Sequence, residues 1–155
     1  MIAKEKVIAL AEERIQELNN DNYLVQVTVT NKNQIKVVMD NLHRGVSIKD
    51  CMSVSRNIEH NLDRSLEDFQ LEVTSPGLDQ PFFVEQQYIK NIGNLVNVLL
   101  INGKRKSGKI LSYKDNKLRI EIIKKQKRTK KDNIIEEIII PENEIKETKL
   151  KIKWK

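Results

Sequence analysis

The stretch L-E-V-T-S-P-G-L-D-Q-P-F, residues 71–82, separates two parts of the chain that have different sequence patterns. Its first four residues alternate apolar and polar side chains, which predicts a half-buried β-strand. Pro76 cannot donate to a strand ladder and Gly77 can adopt a positive φ, so we expect the strand to end there. Leu78 is expected to anchor the turn by packing, and Pro81 interrupts the chain a second time. The stretch is therefore predicted to form a stiff corner.

Charge is distributed unevenly on the two sides of this corner. Residues 1–83 contain 9 Lys and Arg against 13 Asp and Glu, whereas residues 84–155 contain 19 against 9. The net charge of +6 thus combines an acidic first part with a strongly basic second part. Such asymmetry predicts two modules, of which the second binds an anionic partner. Nucleic acid is the favoured anionic partner. We place the domains at 1–83 and 84–155.

The first module alternates helical and strand patterns. Apolar residues at helical spacing predict α-helices at 2–19 and 47–64, and runs of β-branched residues predict strands at 23–30 and 34–40. With 71–74 as the third strand, the order is α-β-β-α-β. This order predicts an α+β sandwich with helices on one face of a small sheet.

The second predicted helix has the clearest start signal. Ser47 and Asp50 have the spacing of an N-cap residue and an acidic residue in the first turn. The residues expected on one mostly apolar face of this helix are Ile48, Cys51, Met52, Ser55, Ile58, Glu59 and Leu62. Cys51 is expected to be a small buried residue.

The second module has strand patterns almost throughout. After a bridging segment at 84–92, five short strands are predicted at 95–101, 106–113, 118–122, 134–140 and 147–153. Asn102-Gly103 is a strong hairpin signal, and Gly108 within a strand predicts a bulge or sharp bend. This pattern predicts a small all-β barrel of the SH3 or Sm type.

Several functional classes lack their sequence signals. No apolar run is long enough for a membrane span, and a single cysteine favours a reducing, cytoplasmic setting. Ser75 has no nucleophile motif around it, and phosphate-loop motifs are absent. Cys51 and His60 would lie about 13 Å apart along one helix, too far to share a metal ion. We therefore expect no catalytic residues, no cofactor and no metal.

The basic residues of the second module are candidates for contact with RNA phosphates. They are Lys104, Arg105, Lys106, Lys124, Lys125, Lys127, Arg128, Lys130 and Lys131. The alternative is that the run at 124–131 is a solvated loop whose charge only aids solubility. After residue 90 only Tyr113 and Trp154 are aromatic, so a base-stacking platform is not expected. Contacts to phosphates or to RNA shape would show little sequence preference.

Two blocks of sequence carry a resemblance to a known family. G-V-S-I-K-D-C-M-S-V-S-R at 45–56 and L-E-V-T-S-P-G-L-D-Q-P-F at 71–82 resemble the bacterial ribosome maturation factor family RimP. The matching residues singled out as structural or partner-binding are Gly45, Asp50, Arg56, Glu72, Ser75, Pro76, Gly77, Leu78, Asp79 and Pro81. The chain differs from the family pattern at Gln80, where Arg is usual, and at Lys49, where an acidic residue is more frequent.

The resemblance implies a function as well as a fold. It implies an α+β domain followed by an Sm-like barrel, and a non-enzymatic, cytoplasmic factor that assists maturation of the small (30S) ribosomal subunit. The implied partners are the immature subunit, including small-subunit ribosomal protein twelve and a region of 16S rRNA. We expect a monomer that contacts no membrane.

Two questions stay open at the level of sequence. The corner at 75–81 is either a structural elbow or a recognition surface that includes Glu72, Ser75, Gly77 and Asp79. The alternative function is a free-standing Sm-like RNA-binding regulator, which would form rings and bind isolated RNA.

Overall fold

The computed structural model describes residues 1–124 and 134–152, without the side chains of Lys124 and Ile134. The chain divides into two compact units, Met1–Gly77 and Leu78–Lys155. The described part of the chain contains no helix that could span a membrane. The mixed α+β class predicted from the sequence is confirmed.

The first unit contains two helices and a three-stranded sheet. Its elements are α1 Lys4–Leu18, β1 Asn22–Val29, β2 Gln34–Asn41, α2 Ile48–His60 and β3 Gln70–Thr74. The strand order is β1-β2-β3, in which β1 and β2 are antiparallel and β2 and β3 are parallel. The long connection through α2 is what a parallel pair requires.

Local sequence explains where the elements of the first unit begin and end. Asn19 ends α1 in the left-handed conformation with φ 45°, and Asn33 takes φ 55° in the turn between β1 and β2. Asparagine tolerates these angles better than most residues. The Ser47 side chain accepts a hydrogen bond from the Asp50 backbone N–H at 3.1 Å, so the predicted N-cap of α2 is confirmed.

The core of the first unit lies between the two helices and the sheet. The fully buried residues that form its centre are Val7, Ala11, Val37, Met39, Val54 and Ile58. Cys51 is also buried, as predicted. Ile48 and Met52 are not on this buried face, since their exposures are 80% and 49%. Met52 follows Cys51 by one residue, about 100° around the helix, so it points away from the buried stripe.

The second unit contains a short helix and a five-stranded sheet. Its elements are α3 Glu85–Lys90, β4 Leu95–Leu100, β5 Arg105–Lys114, β6 Lys117–Lys124, β7 Ile134–Pro141, a 3-10 helix Glu142–Glu144 and β8 Ile145–Leu150. The strand order is β7-β6-β5-β4-β8, and each neighbouring pair is antiparallel. The described pairings do not join β7 to β8, so they do not confirm a closed barrel.

Aromatic residues close one side of the second core. Tyr88 of α3 stacks on Tyr113 of β5 with ring centroids 4.4 Å apart, and Phe82 meets Tyr88 edge-on at 5.0 Å. The Tyr88 hydroxyl donates to Thr148 Oγ1 at 2.7 Å. Desolvation by burial raises the pKa of Tyr113 to about 12. Phe82 thus belongs to the core of the second unit.

Gly108 serves a different purpose from the predicted bulge. The register shift between β5 and β6 lies between Ile110 and Ser112, whereas Gly108 stays in regular pairing with Val96. A Cβ atom at Gly108 would stand 2.6 Å from the Glu121 carbonyl oxygen. The position therefore needs glycine because two backbones approach closely.

Candidate functional site

The two sequence blocks that carry the family resemblance come together in the first unit. Block 45–56 covers the start of α2, and residues 71–75 of the second block form β3 and the chain that leaves it. Between α2 and β3 lies a groove of about 230 Å³. It is lined by Val46, Ile48, Cys51, Met52, Ser55, Val73, Thr74 and Ser75. We call this the α2–β3 groove.

The α2–β3 groove combines an exposed apolar rim with an unreactive cysteine. Ile48 and Met52 form the rim of the groove. Most of Ile48 and about half of Met52 are exposed to solvent. Burial raises the pKa of the Cys51 thiol, and the carboxylates of Asp50 and Asp40 raise it further. A thiol held protonated in this way is a weak nucleophile, so the groove is suited to binding through shape and apolar contact.

Asp50 holds the N-terminus of α2 in place. Its Oδ2 accepts hydrogen bonds from the side-chain amides of Asn20 at 2.8 Å and Asn22 at 2.9 Å. The bond from Asn22 contributes most to lowering the pKa of Asp50, with further contributions from Asn20 and Ser47. Asn41 extends the network, since its amide donates to Asn22 Oδ1 at 2.8 Å. Asp50 therefore positions the helix that forms one wall of the groove.

A second carboxylate supports the segment that leads into α2. Asp40 is buried and lies 3.4 Å from the Tyr23 hydroxyl and 3.3 Å from the Val46 backbone nitrogen. Burial raises the pKa of Tyr23, and the Asp40 charge adds to the shift. The hydrogen bond from Val46 to Asp40 fixes the chain at the start of the groove.

The outward face of α2 is basic although the first unit is acidic as a whole. A shallow groove of about 710 Å³ runs along this face and shares Ile48 and Met52 with the α2–β3 groove. Its other lining residues are Arg14, Lys49, Ser53, Arg56, Asn57 and His60. The lining includes three permanent cations and no carboxylate. Arg14 pairs with Glu17, so Lys49 and Arg56 are the cations that favour an anionic partner. The summed charge of residues 1–83 gave no sign of it.

The corner is divided between the two units. Glu72 and Ser75 belong to the first unit, where Glu72 lies 3.9 Å from Lys36, and Asp79 belongs to the second. Leu78 is 70% exposed, so the prediction that it packs as an apolar anchor is wrong. Proline and glycine set the backbone path there, and that path leaves the side chain in solvent.

Asp79 lines a groove within the second unit. Its neighbours in this groove of about 340 Å³ are Asn97, Leu99, Arg105, Glu147, Lys149, Leu150 and Ile152. The groove thus brings Asp79 into one lining with Arg105, one of the predicted RNA-contact residues. Gln80 adds an amide whose Nε2 lies 3.5 Å from Asp79 Oδ1.

Those predicted RNA-contact residues that the structure describes lie at one end of the second sheet. Lys104 and Arg105 are exposed at the β4–β5 hairpin, and Lys106 is half-buried. Because Lys109 pairs with Glu121 in antiparallel register, the start of β5 and the end of β6 at Lys124 share that end of the sheet. The remaining predicted residues, Lys125, Lys127, Arg128, Lys130 and Lys131, lie outside the described residues, as does the Lys124 side chain.

Sequence reasoning missed the residues that give the α2–β3 groove its character. Ile48 and Met52 were assigned to the buried face, and Thr74 was not singled out. The available signal was that Met52 adjoins a residue of the buried stripe and cannot share its direction. Among residues 1–124 and 134–152, no group of three or more His, Cys, Asp or Glu is placed to hold a metal ion.

Comparison with known proteins extends the resemblance to nearly the whole chain. A family model described as the RimP N-terminal domain matches residues 10–79. A protein of Christiangramia forsetii named ribosome maturation factor RimP is 40% identical over 152 residues, which cover 96% of this chain and 97% of the relative. A protein of the same name from Porphyromonas gingivalis is 32% identical over 124 residues, 80% of each chain. Another from Flavobacterium psychrophilum is 39% identical over 98 residues, 63% of this chain and 62% of the relative.

Proposed function

The chain belongs to the RimP family of ribosome maturation factors, and we propose that it assists maturation of the small (30S) ribosomal subunit as a non-catalytic binding factor. The observation that carries this proposal is 40% identity to a ribosome maturation factor over 96% of the chain. The agreement extends through both units, so it does not depend on the short motif blocks alone. The alternative of a free-standing Sm-like RNA-binding regulator is not favoured, because the matching relatives are named as maturation factors.

We propose that the two modules predicted at 1–83 and 84–155 correspond to the units Met1–Gly77 and Leu78–Lys155, and that the second is an SH3- or Sm-like barrel. The strand order of the second sheet supports the barrel, because β4 to β7 pair in sequence order and the last strand, β8, returns to pair with β4. The two edge strands of this order are β7 and β8, which follow each other in sequence, so closure of the barrel would join them. The factor would act in the cytoplasm as a monomer.

The proposed partners are the immature small subunit, including ribosomal protein twelve and a region of 16S rRNA. Two exposed basic surfaces support contact with RNA phosphates. One is the end of the second sheet at Lys104 and Arg105, and the other is the outward face of α2 with Lys49 and Arg56. Phosphate contacts position a protein on RNA without reading sequence, which suits a factor that acts on one assembled particle.

The role of Asp79 follows from the groove that it shares with Arg105 and Lys149. We propose that this groove holds a polar segment of the ribosomal partner, with Asp79 available for a basic side chain. Glu72 and Ser75 would contribute separately, from the first unit. Pro76, Gly77 and Pro81 serve the backbone path, and Gly45 leads the chain toward the start of α2.

Depletion of the chain from its own cells tests the proposal. We expect immature small subunits with unprocessed 16S rRNA to accumulate while large subunits mature normally, and re-expression of the full chain to reverse the defect. Normal small-subunit maturation in depleted cells would contradict the proposed function. A catalytic role would instead require turnover that is lost when a single residue is replaced.

A further inference from the structure

The free edge of β3 has backbone groups available for another strand. Gln70 donates its backbone N–H to the Asn33 carbonyl oxygen on the β2 side at 3.0 Å. In a parallel ladder alternate residues direct both backbone groups to the same neighbour, so Glu72 and Thr74 also face β2. The N–H and C=O of Val73 therefore face the opposite edge. Among the residues that the structure describes, no backbone group beyond the β2–β3 ladder pairs with them.

The α2–β3 groove lies along this same edge. Val73 is one of its lining residues, and Ile48 and Met52 form its exposed rim on the helix side. An exposed edge strand beside an apolar groove is a liability unless a partner covers it, because its open backbone groups invite pairing. The β3 edge thus offers main-chain hydrogen bonds, and α2 offers apolar contact on the other side of the groove.

Charge at the groove indicates which kind of segment fits. Lys49 and Arg56 are exposed on α2, next to the rim, and no ion pair joins either one to a carboxylate within the described part of the chain. An acidic residue in the occupant would complement these two cations.

We propose that the α2–β3 groove binds an extended peptide segment of a partner protein. The segment adds as a strand to the free edge of β3, pairs with the backbone of Val73 and inserts an apolar side chain between Ile48 and Met52. A neighbouring acidic residue of the segment lies against Lys49 and Arg56. Strand addition to an open edge, with pockets for alternate side chains, is a general mode of peptide recognition. The inference goes beyond the proposed function, because it does not require the partner to be ribosomal.

The groove is better suited to peptide than to RNA. It has no aromatic residue on which a base could stack. The edge also presents a carbonyl oxygen beside each N–H, and that oxygen repels a phosphate but accepts a bond from a peptide N–H. Lys49 and Arg56 border the groove on the helix side, where two cations match a single acidic side chain of a peptide.

Selection from a library of short random peptides, with the full chain as the target, tests this inference. We expect enriched peptides that combine alternating apolar or β-branched residues with an acidic residue. In titration of the isotope-labelled chain with a synthetic enriched peptide, the Val73 amide should shift and gain protection from hydrogen exchange.

Two matched variants connect the binding to the groove. Met52→Glu should weaken binding of the enriched peptide by about tenfold or more, the effect expected when one well-buried apolar side chain is removed from an interface. Leu66→Glu makes the same change of charge at a residue of the first unit that is 82% exposed and outside the groove, and it should leave binding unchanged. Both side chains are exposed, so both variants should keep the wild-type circular dichroism spectrum and melting temperature.

Several results would overturn the inference. They are a selection that enriches no peptide, binding that Met52→Glu leaves intact, exchange protection that appears away from β3, and dimerisation of the chain that Met52→Glu abolishes. Loss of binding to a single-stranded RNA probe in Met52→Glu, without any peptide binding, would likewise assign the surface to RNA. Co-sedimentation of wild-type chain with small subunits is scored separately, so failure of the peptide site and failure of the proposed function remain distinguishable.

Discussion

The Asp50 side chain accepts a hydrogen bond from the side-chain amide of Asn22 at 2.9 Å, across 28 residues of sequence. This bond ties the first turn of α2 to the start of β1, and Asn20 adds a second bond to the same carboxylate oxygen. The family motif residue Asp50 therefore acts through structure. It fixes the helix that carries the exposed residues Ile48, Met52 and Arg56.

Replacement of Asp50 by Asn should destabilise the protein by about 1–2 kcal/mol at neutral pH, because bonds to a charged acceptor are lost. The amides of Asn22 and Asn20 lower the pKa of Asp50 in the folded state. A lowered pKa contributes stability above the unfolded-state pKa, about 3.9 for Asp, and that contribution disappears as pH falls through the folded-state pKa. The difference between wild type and variant should therefore shrink below about pH 4. Urea denaturation from pH 7 to pH 3 measures it.

The control for this pH dependence is Glu144→Gln, at an exposed carboxylate of the second unit. It should change the free energy of unfolding little at either pH. A difference between wild type and Asp50→Asn that grows as pH falls would contradict the assigned role of Asp50.

Replacement of Gly108 by Ala should destabilise the protein by about 1–3 kcal/mol, the usual cost of forcing extra atoms into a packed site. The added Cβ would stand 2.6 Å from the Glu121 backbone oxygen. A backbone atom cannot move out of the way as the end of a flexible side chain can. Gly45→Ala is the matched control, since a Cβ there meets nothing within 4 Å. Equal melting temperatures for the two variants would show that β5 and β6 do not approach as closely as described.

Replacement of Ile58 or Met52 by Ala should show that one side chain of α2 is buried and the other is exposed. Ile58→Ala should cost about 2–5 kcal/mol, because Ile58 is fully buried. Met52→Ala should cost less than about 1 kcal/mol, because half of the Met52 side chain is in solvent. Denaturant unfolding of both variants provides the comparison. A large loss of unfolding free energy in Met52→Ala would show that Met52 is buried in the core, as the helical pattern alone predicts.

Neutralisation of Lys104 and Arg105 with Gln should weaken binding to immature small subunits and reduce its dependence on salt. For each phosphate that the variant no longer neutralises, the slope of log K against log salt should flatten by about 0.7 to 0.9. The matched control replaces Lys114 and Lys117, exposed residues at the opposite end of the β5–β6 pair, with Gln. Binding measured at several salt concentrations should distinguish the two pairs. The same slope for both double variants would rule out this end of the sheet as an RNA anchor.

Short-range signals in the sequence predicted the framework of the fold well. Ser47 begins α2 as an N-cap, Asn102-Gly103 turns β4 into β5, and alternating residues mark the strands. Each of these features depends on chemistry within a few residues, so it can be read without knowledge of the tertiary structure. The assignment to two modules of different charge also needs no tertiary structure, because it depends only on counting charged residues along the sequence.

Features that depend on the direction of a side chain were harder to predict. Helical spacing grouped Ile48 and Met52 with the buried residues, although Met52 points about 100° away from Cys51 around the helix. Nothing in the spacing separated Ile48 from the buried stripe. Leu78 was expected to pack because it is apolar, yet the corner backbone directs it into solvent. Charge sums per domain likewise hid the basic face of α2, because Lys49 and Arg56 share one surface that no carboxylate lines.

Sucrose-gradient fractionation of cell lysate that contains the tagged chain tests the central claim most directly. A factor that assists small-subunit maturation should co-sediment with free small subunits and be absent from 70S ribosomes and polysomes. Raising the salt concentration should release it, because phosphate contacts weaken as salt rises. A chain that stays at the top of the gradient at low salt, or that follows 70S ribosomes, would contradict the account.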